Sequence, residues 1–351
     1  MEEFFSRSLN KRNIVRGTIA FLLCTIVGLY ISFLLSDTKN IGAALRAIQG
    51  KYLLLAIGCM VADWLCGSAR FFVFTRHMSP RVTFWHALRA DLAAICAGGI
   101  TPFQTGGVGH IYIFNRVGVP ISGAMTTGII TFIGSLSVLI CSTGYVVWKA
   151  PNFLPKGITF ISQYSLVMFA IVLTFFVLMV VKPEVLLYFL SRIPLPRQRR
   201  FRFVAKLLDR LMLTLEKVIE EHKGFTRLFT GKHKIVWVWS FGLSAGVYMS
   251  RFIGGYVIVR ALGGDAPFWN VVAVQVLANF VTLFAPTPGA SGVAESLITG
   301  LMKPLLPGGA TWLFALLTRF FTMYCGAAVG GIVLVSQLTK DLRAEGTNRT
   351  P

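Results

Sequence analysis

The sequence predicts an all-α polytopic membrane protein with about six full transmembrane helices and two re-entrant helical hairpins arranged as an inverted repeat. Three observations carry this. Of 351 residues 55% are hydrophobic and only 14% charged, with a mean hydropathy of +0.69; soluble domains carry about 25% charged residues. Apolar windows of membrane-spanning length recur along the whole chain. Two further apolar regions are interrupted by short stretches that resemble each other, TPFQTGGVGH from Thr101 and TPGASGVAE from Thr287.

The full spans are predicted at 14–35, 51–72, 122–148, 161–181, 235–259 and 311–337. The first is too long for a signal-peptide core and lacks a small-residue cleavage site, so it reads as a retained helix. The interrupted regions, 86–118 and 268–303, read as hairpins. A single membrane domain covers 1–351, its first repeat 1–150 and its second 151–351. Between them the basic loop 182–234 contains an amphipathic helix at 200–223, with Phe201, Val204, Leu208, Leu211, Leu215 and Val218 on one face, suited to the inner membrane surface.

The net charge of +20 does not require nucleic acid as a partner. With the N-terminus cytoplasmic, 25 of the 34 Lys and Arg fall in inner segments and 7 in outer ones, while Arg251 and Arg319 lie within spans. That is the positive-inside pattern, and it places both termini in the cytoplasm. The six cysteines lie in apolar segments without metal-ligand spacing, so they read as packing residues, and no metal or other cofactor is called for.

The twin stretches are 186 residues apart with three whole spans between them, so the second copy must be inverted. Two arginines repeat at nearly the same offset, Arg70 in SARFF and Arg251 in MSRFI, 181 residues apart. Internal repeats of inverted topology mark many secondary transporters. Non-helical backbone at membrane depth is tolerated only where protein buries it or a wet cavity receives it. Each hairpin is therefore expected to break at Thr-Pro-Gly, and the breaks to meet near the midplane. There the helix N-termini at Gly106–Gly107 and Ser291–Gly292 would offer N–H groups to an anion. Gln104, Thr105, His110, Thr287 and Gly289 would complete the binding surface.

Charged residues inside apolar segments are costly and mark function by default. Glu295 and Arg319 read as a pair, with Asp63 and Asp91 as further sites for charge balance or proton coupling. Arg251 has no acidic neighbour in sequence and is the first choice for meeting a phosphate; Arg70 and Arg89 lie nearer the inner surface, where snorkelling explains them equally well. The spacing His86 to Asp91 matches an acyltransferase H-x4-D motif, but on a helix residues five apart diverge by roughly 140°. Walker A, H-E-x-x-H and G-x-S-x-G motifs are absent, so the chain reads as a non-enzyme.

TPFQTGGVGHIYIFNRVGV, APTPGASGVAES and the later LLTRFFTMYCGAAVG together resemble the membrane domain of the bacterial lysylphosphatidylglycerol synthetase/flippase (multiple peptide resistance factor) family and its stand-alone members. The matching positions are Pro102, Gly106, Gly107, Tyr112, Arg116, Pro286, Pro288, Gly289, Ser291, Gly292, Glu295 and Arg319. The resemblance implies a lipid flippase in the bacterial cytoplasmic membrane. Its substrate would be a phospholipid with an anionic or aminoacylated headgroup. It departs at His110, where many members carry an acidic residue. No transferase domain accompanies the motifs, so synthetase activity is not carried over. A soluble-anion transporter and a non-catalytic partner of a separate lipid-modifying enzyme remain the alternative readings, and a homodimer is left open.

Overall fold

The computed structural model describes residues 11–36, 41–101, 106–149, 156–181, 235–283, 285–307 and 309–347. The expected amphipathic helix at 200–223, and the loop that holds it, lie outside these residues. All regular structure among them is helical: α1 Lys11–Leu35, α2 Ile41–Arg46, α3 Gly50–Thr75, α4 Phe84–Ile100, α5 Gly107–Arg116, α6 Ile121–Lys149, α7 Lys156–Val181, α8 Ile235–Ala261, α9 Phe268–Leu283, α10 Val293–Met302, α11 Ala310–Arg319 and α12 Cys325–Thr347. A π-helical turn, Phe320–Tyr324, joins α11 to α12 without a loop.

The chain is an all-α polytopic membrane protein. Among the described residues five segments are long and apolar enough to cross a membrane: Val15–Leu35, Gly50–Thr75, Ile121–Trp148, Ile235–Ala261 and Ala310–Asp341. The sixth expected span is α7, a 26-residue helix with an apolar stretch from Leu166 to Leu178. The long spans tolerate hydroxyls because these bond back along their own helix. In α6, Thr126, Thr127, Ser137 and Thr143 each donate to the carbonyl four residues earlier.

Both interrupted regions form helix–break–helix pairs. The ten residues of α5 and of α10 span only about 15 Å each, half the hydrocarbon thickness. Small residues let α5 fold back on α4, since a Cβ at Gly106 or Gly109 would clash with the carbonyls of Ala94 or Ala93. The α4 N-terminus is capped by Thr83 and His86, whose Nδ1 accepts from the Thr83 N–H at 3.2 Å. His86 thus has a structural task on the same helix as Asp91, which removes the H-x4-D reading.

Helices α3 and α8 run antiparallel. Going down α3, Cys59 lies opposite Gly254, Asp63 opposite Arg251, Cys66 opposite Gly246 and Arg70 opposite Ser244. Each helix also belongs to an apolar cluster: Ala56 packs with Ile258 and Val259, and Val247, Tyr248 and Phe252 pack with Leu136, Phe169 and Val276. Helix α1 packs on α10 and α11 through Thr25 to Ser291 (3.1 Å), the Ser32–Thr299 hydroxyl pair, and Trp312 Nε1 to the Leu29 carbonyl (3.1 Å).

Candidate functional site

The two breaks touch. The Gly289 N–H donates to the Thr101 carbonyl at 3.4 Å, joining the turn of the second hairpin to the end of α4. The second turn is a 3-10 segment, Pro288–Ala290, with Gly289 at φ +59° and buried Ala290 at φ +54°, a left-handed conformation uncommon for a residue with a Cβ. Gly292 follows at φ +86°, pressed so closely against α1 that a Cβ on Gly28 would overlap its backbone. Thr287 lies at the turn with its hydroxyl buried and unpartnered among the described residues. Gln104 and Thr105 lie outside those residues.

Glu295 is fully buried just after this turn, and three donors converge on its carboxylate. Arg319 Nε reaches Oε1 at 3.0 Å, Tyr324 Oη reaches the same oxygen at 2.6 Å, and the Gly292 N–H reaches Oε2 at 2.6 Å. Arg319 also donates from Nη2 to the Gly289 carbonyl at 2.7 Å. The expected Glu295–Arg319 pair therefore exists and also closes the turn. The π-helical turn explains how Arg319 and Tyr324 share one oxygen. Five residues apart on an α-helix they would diverge by roughly 140°, whereas i→i+5 closure brings them to one side.

This arrangement corrects one expectation. The N-terminus of α10 does not present a free N–H at Gly292, because Glu295, at its third position, reaches back and covers it. Ser291 is likewise engaged, accepting from Thr25. At the first break Gly106 is the N-cap of α5 without a side-chain cap, with Gly107 as the first helical residue. His110 is buried one turn later, its ring 4.9 Å from that of Phe71 and 6.4 Å from that of Phe114. Its Nε2 lies 3.2 Å from the Ala124 carbonyl, which can only accept, so Nε2 carries a proton.

A second polar cluster lies between α3 and α8. Arg251 Nε meets Asp63 Oδ1 at 3.1 Å, so the arginine without an acidic neighbour in sequence has an acidic partner 188 residues away. Asp63 sits near the middle of α3, about 19 Å along the axis from its start. Arg70, for which snorkelling is one of two readings, turns into the protein and donates to Ser135 at 2.7 Å and Ser244 at 3.4 Å. Its Nε is buried without an acceptor among the described residues. Asp91, on α4, places its carboxylate against Gly67 and within the field of Arg70.

A recess of about 20 Å³ opens beside Asp63 and Arg251, walled by Cys59, Ser250, Thr318 and Thr322. Thr318 immediately precedes Arg319, so the recess lies between the two charged clusters. A third polar contact, which the sequence did not single out, involves Asp341 on α12. It accepts from Tyr112 Oη and pairs with Arg116 Nε at 3.1 Å, so the Tyr and Arg that follow the first break share one carboxylate.

Residues 15–330 match the family described as "Lysylphosphatidylglycerol synthase TM region". A "UPF0104 membrane protein" of Archaeoglobus fulgidus is 24% identical over 330 residues, covering 91% of this chain and 96% of that protein. The chain thus belongs to the lysylphosphatidylglycerol synthase transmembrane-region family, as a multi-pass membrane protein of a lipid-related family.

Proposed function

We propose that the protein is a translocase that moves a phospholipid or related amphiphile between leaflets without covalent chemistry of its own. The headgroup crosses at mid-membrane past the two charged clusters while the acyl chains stay in lipid. The observation that carries this reading is the set of charged residues held among apolar helices, with Asp63, Glu295 and Arg319 buried, Arg251 and Arg70 turned inward to polar partners, and a recess between the two groups. Each such charge costs on the order of 3 kcal/mol to insert at mid-membrane, a cost that a purely packing role leaves unexplained.

The two halves act as an inverted repeat. An offset of 181 carries Arg70 onto Arg251 and Asp63 onto Ser244. The observed contacts, Arg251 with Asp63 and Arg70 with Ser244, are then the same contact made twice, once from each half. Both hairpins re-enter the membrane, from opposite sides, and the basic residues orient both termini toward the cytoplasm of a bacterial cell. A recess of about 20 Å³ has room for about one water. Headgroup passage therefore requires α3 and α8 to part from α11, as alternating access demands.

Leaflet exchange in reconstituted vesicles tests the reading. Acyl-labelled fluorescent phospholipids are exposed to a membrane-impermeant quencher, with wild type compared to folded Arg251→Ala and Glu295→Gln proteins. Quenching beyond the outer half of the label with wild type, and loss of that excess in the variants, is expected. Quenching of the outer half alone with every phospholipid would refute lipid translocation.

A further inference from the structure

The recess beside Asp63 and Arg251 carries chemistry that narrows the cargo. Arg251 spends only Nε on Asp63; among the described residues neither terminal nitrogen has an acceptor, which leaves four N–H donors uncommitted. Its side chain keeps 29% of its surface exposed while that of Asp63 keeps 6%. Asp63 uses Oδ1 alone, so its second oxygen is also without a donor among those residues. Across the recess the Thr318 hydroxyl, on a residue 7% exposed, is buried without a partner among the described residues. Three residues that line the recess, Arg251, Asp63 and Thr318, thus each carry a polar group unmatched among the described residues.

We propose that this recess is a headgroup subsite selective for zwitterionic aminophospholipids, with the phosphate on the Arg251 guanidinium and the protonated amine on Asp63. The inference rests on the translocase reading and adds to it the charge class of the substrate. Guanidinium forks match phosphate oxygens in pairs. A carboxylate this buried is weakly screened and demands a cation once Arg251 turns to a phosphate.

Net charge decides between headgroups. The charged side chains that line the recess are Asp63 and Arg251, one of each sign, and the neighbouring Glu295–Arg319 pair is also balanced. A headgroup with one phosphate and one ammonium preserves that balance. Phosphatidylglycerol would bring a phosphate with no cation for Asp63. A lysyl headgroup, with two ammonium groups, would leave one of them without a carboxylate in the recess. A net-neutral headgroup also crosses without work against the transmembrane potential.

The full chain is reconstituted into phosphatidylcholine vesicles with acyl-labelled phosphatidylethanolamine, phosphatidylglycerol or lysyl-phosphatidylglycerol as probes. Phosphatidylethanolamine is expected to exchange at least about tenfold faster than either other probe, the scale of one desolvated ion pair. Asp63→Asn should erase its advantage over phosphatidylglycerol, and Asp63→Glu should restore it. An imposed potassium diffusion potential should leave phosphatidylethanolamine exchange unchanged.

If Asp63→Asn does not fold, thermal protection of the wild type by short-chain phosphatidylethanolamine, compared with short-chain phosphatidylglycerol, replaces it, and equal protection overturns the selectivity. Equal rates for the three probes, or a faster rate for either charged one, overturn the inference and leave the translocase reading standing. Exchange of no probe overturns both.

Discussion

Replacing Arg319 with methionine isolates the electrostatic part of the Glu295 cluster. The substitution keeps a long, flexible side chain in the site but removes the cation and two hydrogen bonds, to Glu295 Oε1 at 3.0 Å and to the Gly289 carbonyl at 2.7 Å. Glu295, fully buried, keeps only the Tyr324 hydroxyl and the Gly292 N–H. Removing one partner of a buried pair costs about 3–5 kcal/mol because the other charge is left uncompensated. Tyr324→Phe removes one neutral donor, and polar contacts between membrane helices are worth about 0.6–1.7 kcal/mol. The ion pair should therefore dominate. The double variant Glu295→Gln/Arg319→Met should lose less stability than Arg319→Met alone, since no orphaned carboxylate remains. The assay is equilibrium unfolding in mixed micelles, followed by tryptophan fluorescence, for Arg319→Met, Tyr324→Phe, Glu295→Gln and the double variant. Arg319→Met within about 1 kcal/mol of wild type, or a double variant no better than the sum of its parts, would refute the buried-pair argument.

Three other outcomes are expected. A Cβ built on Gly246 lies 3.6 Å from the Cys66 Cβ, within the disulfide range of about 3.5–4.5 Å, so Gly246→Cys should cross-link α8 to α3 under mild oxidation. Loss of two maleimide-reactive thiols reports the bond, and undiminished labelling would contradict the antiparallel register. Gly28→Val forces a side chain into the backbone at Gly292 and should destabilise the chain by about 1–3 kcal/mol as an overpacked contact; the same micelle unfolding measures it, and an unchanged midpoint rejects the close approach. His86→Ala removes a helix cap at Thr83, so it should cost about 1 kcal/mol and leave lipid exchange unaltered. Abolished exchange in a folded His86→Ala protein would reopen a chemical role for that residue.

The elements that positioned themselves by local pattern were legible. Hydropathy located the spans, and Thr-Pro followed by glycine located the second turn, because a proline without an N–H and a glycine at positive φ are local requirements. The Glu295–Arg319 pair was legible because both residues are charged, lie in apolar segments and follow one break. Asp63 as the partner of Arg251 was not, because their contact depends on the antiparallel register of two helices far apart in the chain. A signal existed: the offset joining the twin arginines also carries Asp63 to Ser244, the residue that Arg70 meets. The covered N–H at Gly292 was legible too, since a glutamate three positions after a helix N-cap is a capping-box pattern. It was missed by reading Glu295 as a pairing residue alone. Asp341 was not legible, since only the fold brings α12 to Tyr112 and Arg116.

The two breaks are not equivalent, and the difference bears on which one moves. The second is pinned by a buried ion pair, a tyrosine hydroxyl, two backbone contacts and the close seat of Gly292 on α1. At the corresponding place in the first, His110 is held by aromatic neighbours and one carbonyl, with no charge partner among the described residues. The first hairpin's charged anchor is instead at the far end of α5, where Arg116 is 46% exposed on its side chain and its pair with Asp341 is correspondingly weak. A membrane charge pair costs several kcal/mol to separate, whereas aromatic contacts re-form after sliding. On the inverted-repeat reading, the first hairpin is therefore expected to be the more mobile of the two. Hydrogen exchange should then be faster across Gly107–Arg116 than across Val293–Met302. The reverse order would assign the moving part to the second hairpin and make the Glu295 cluster a latch that breaks in each cycle.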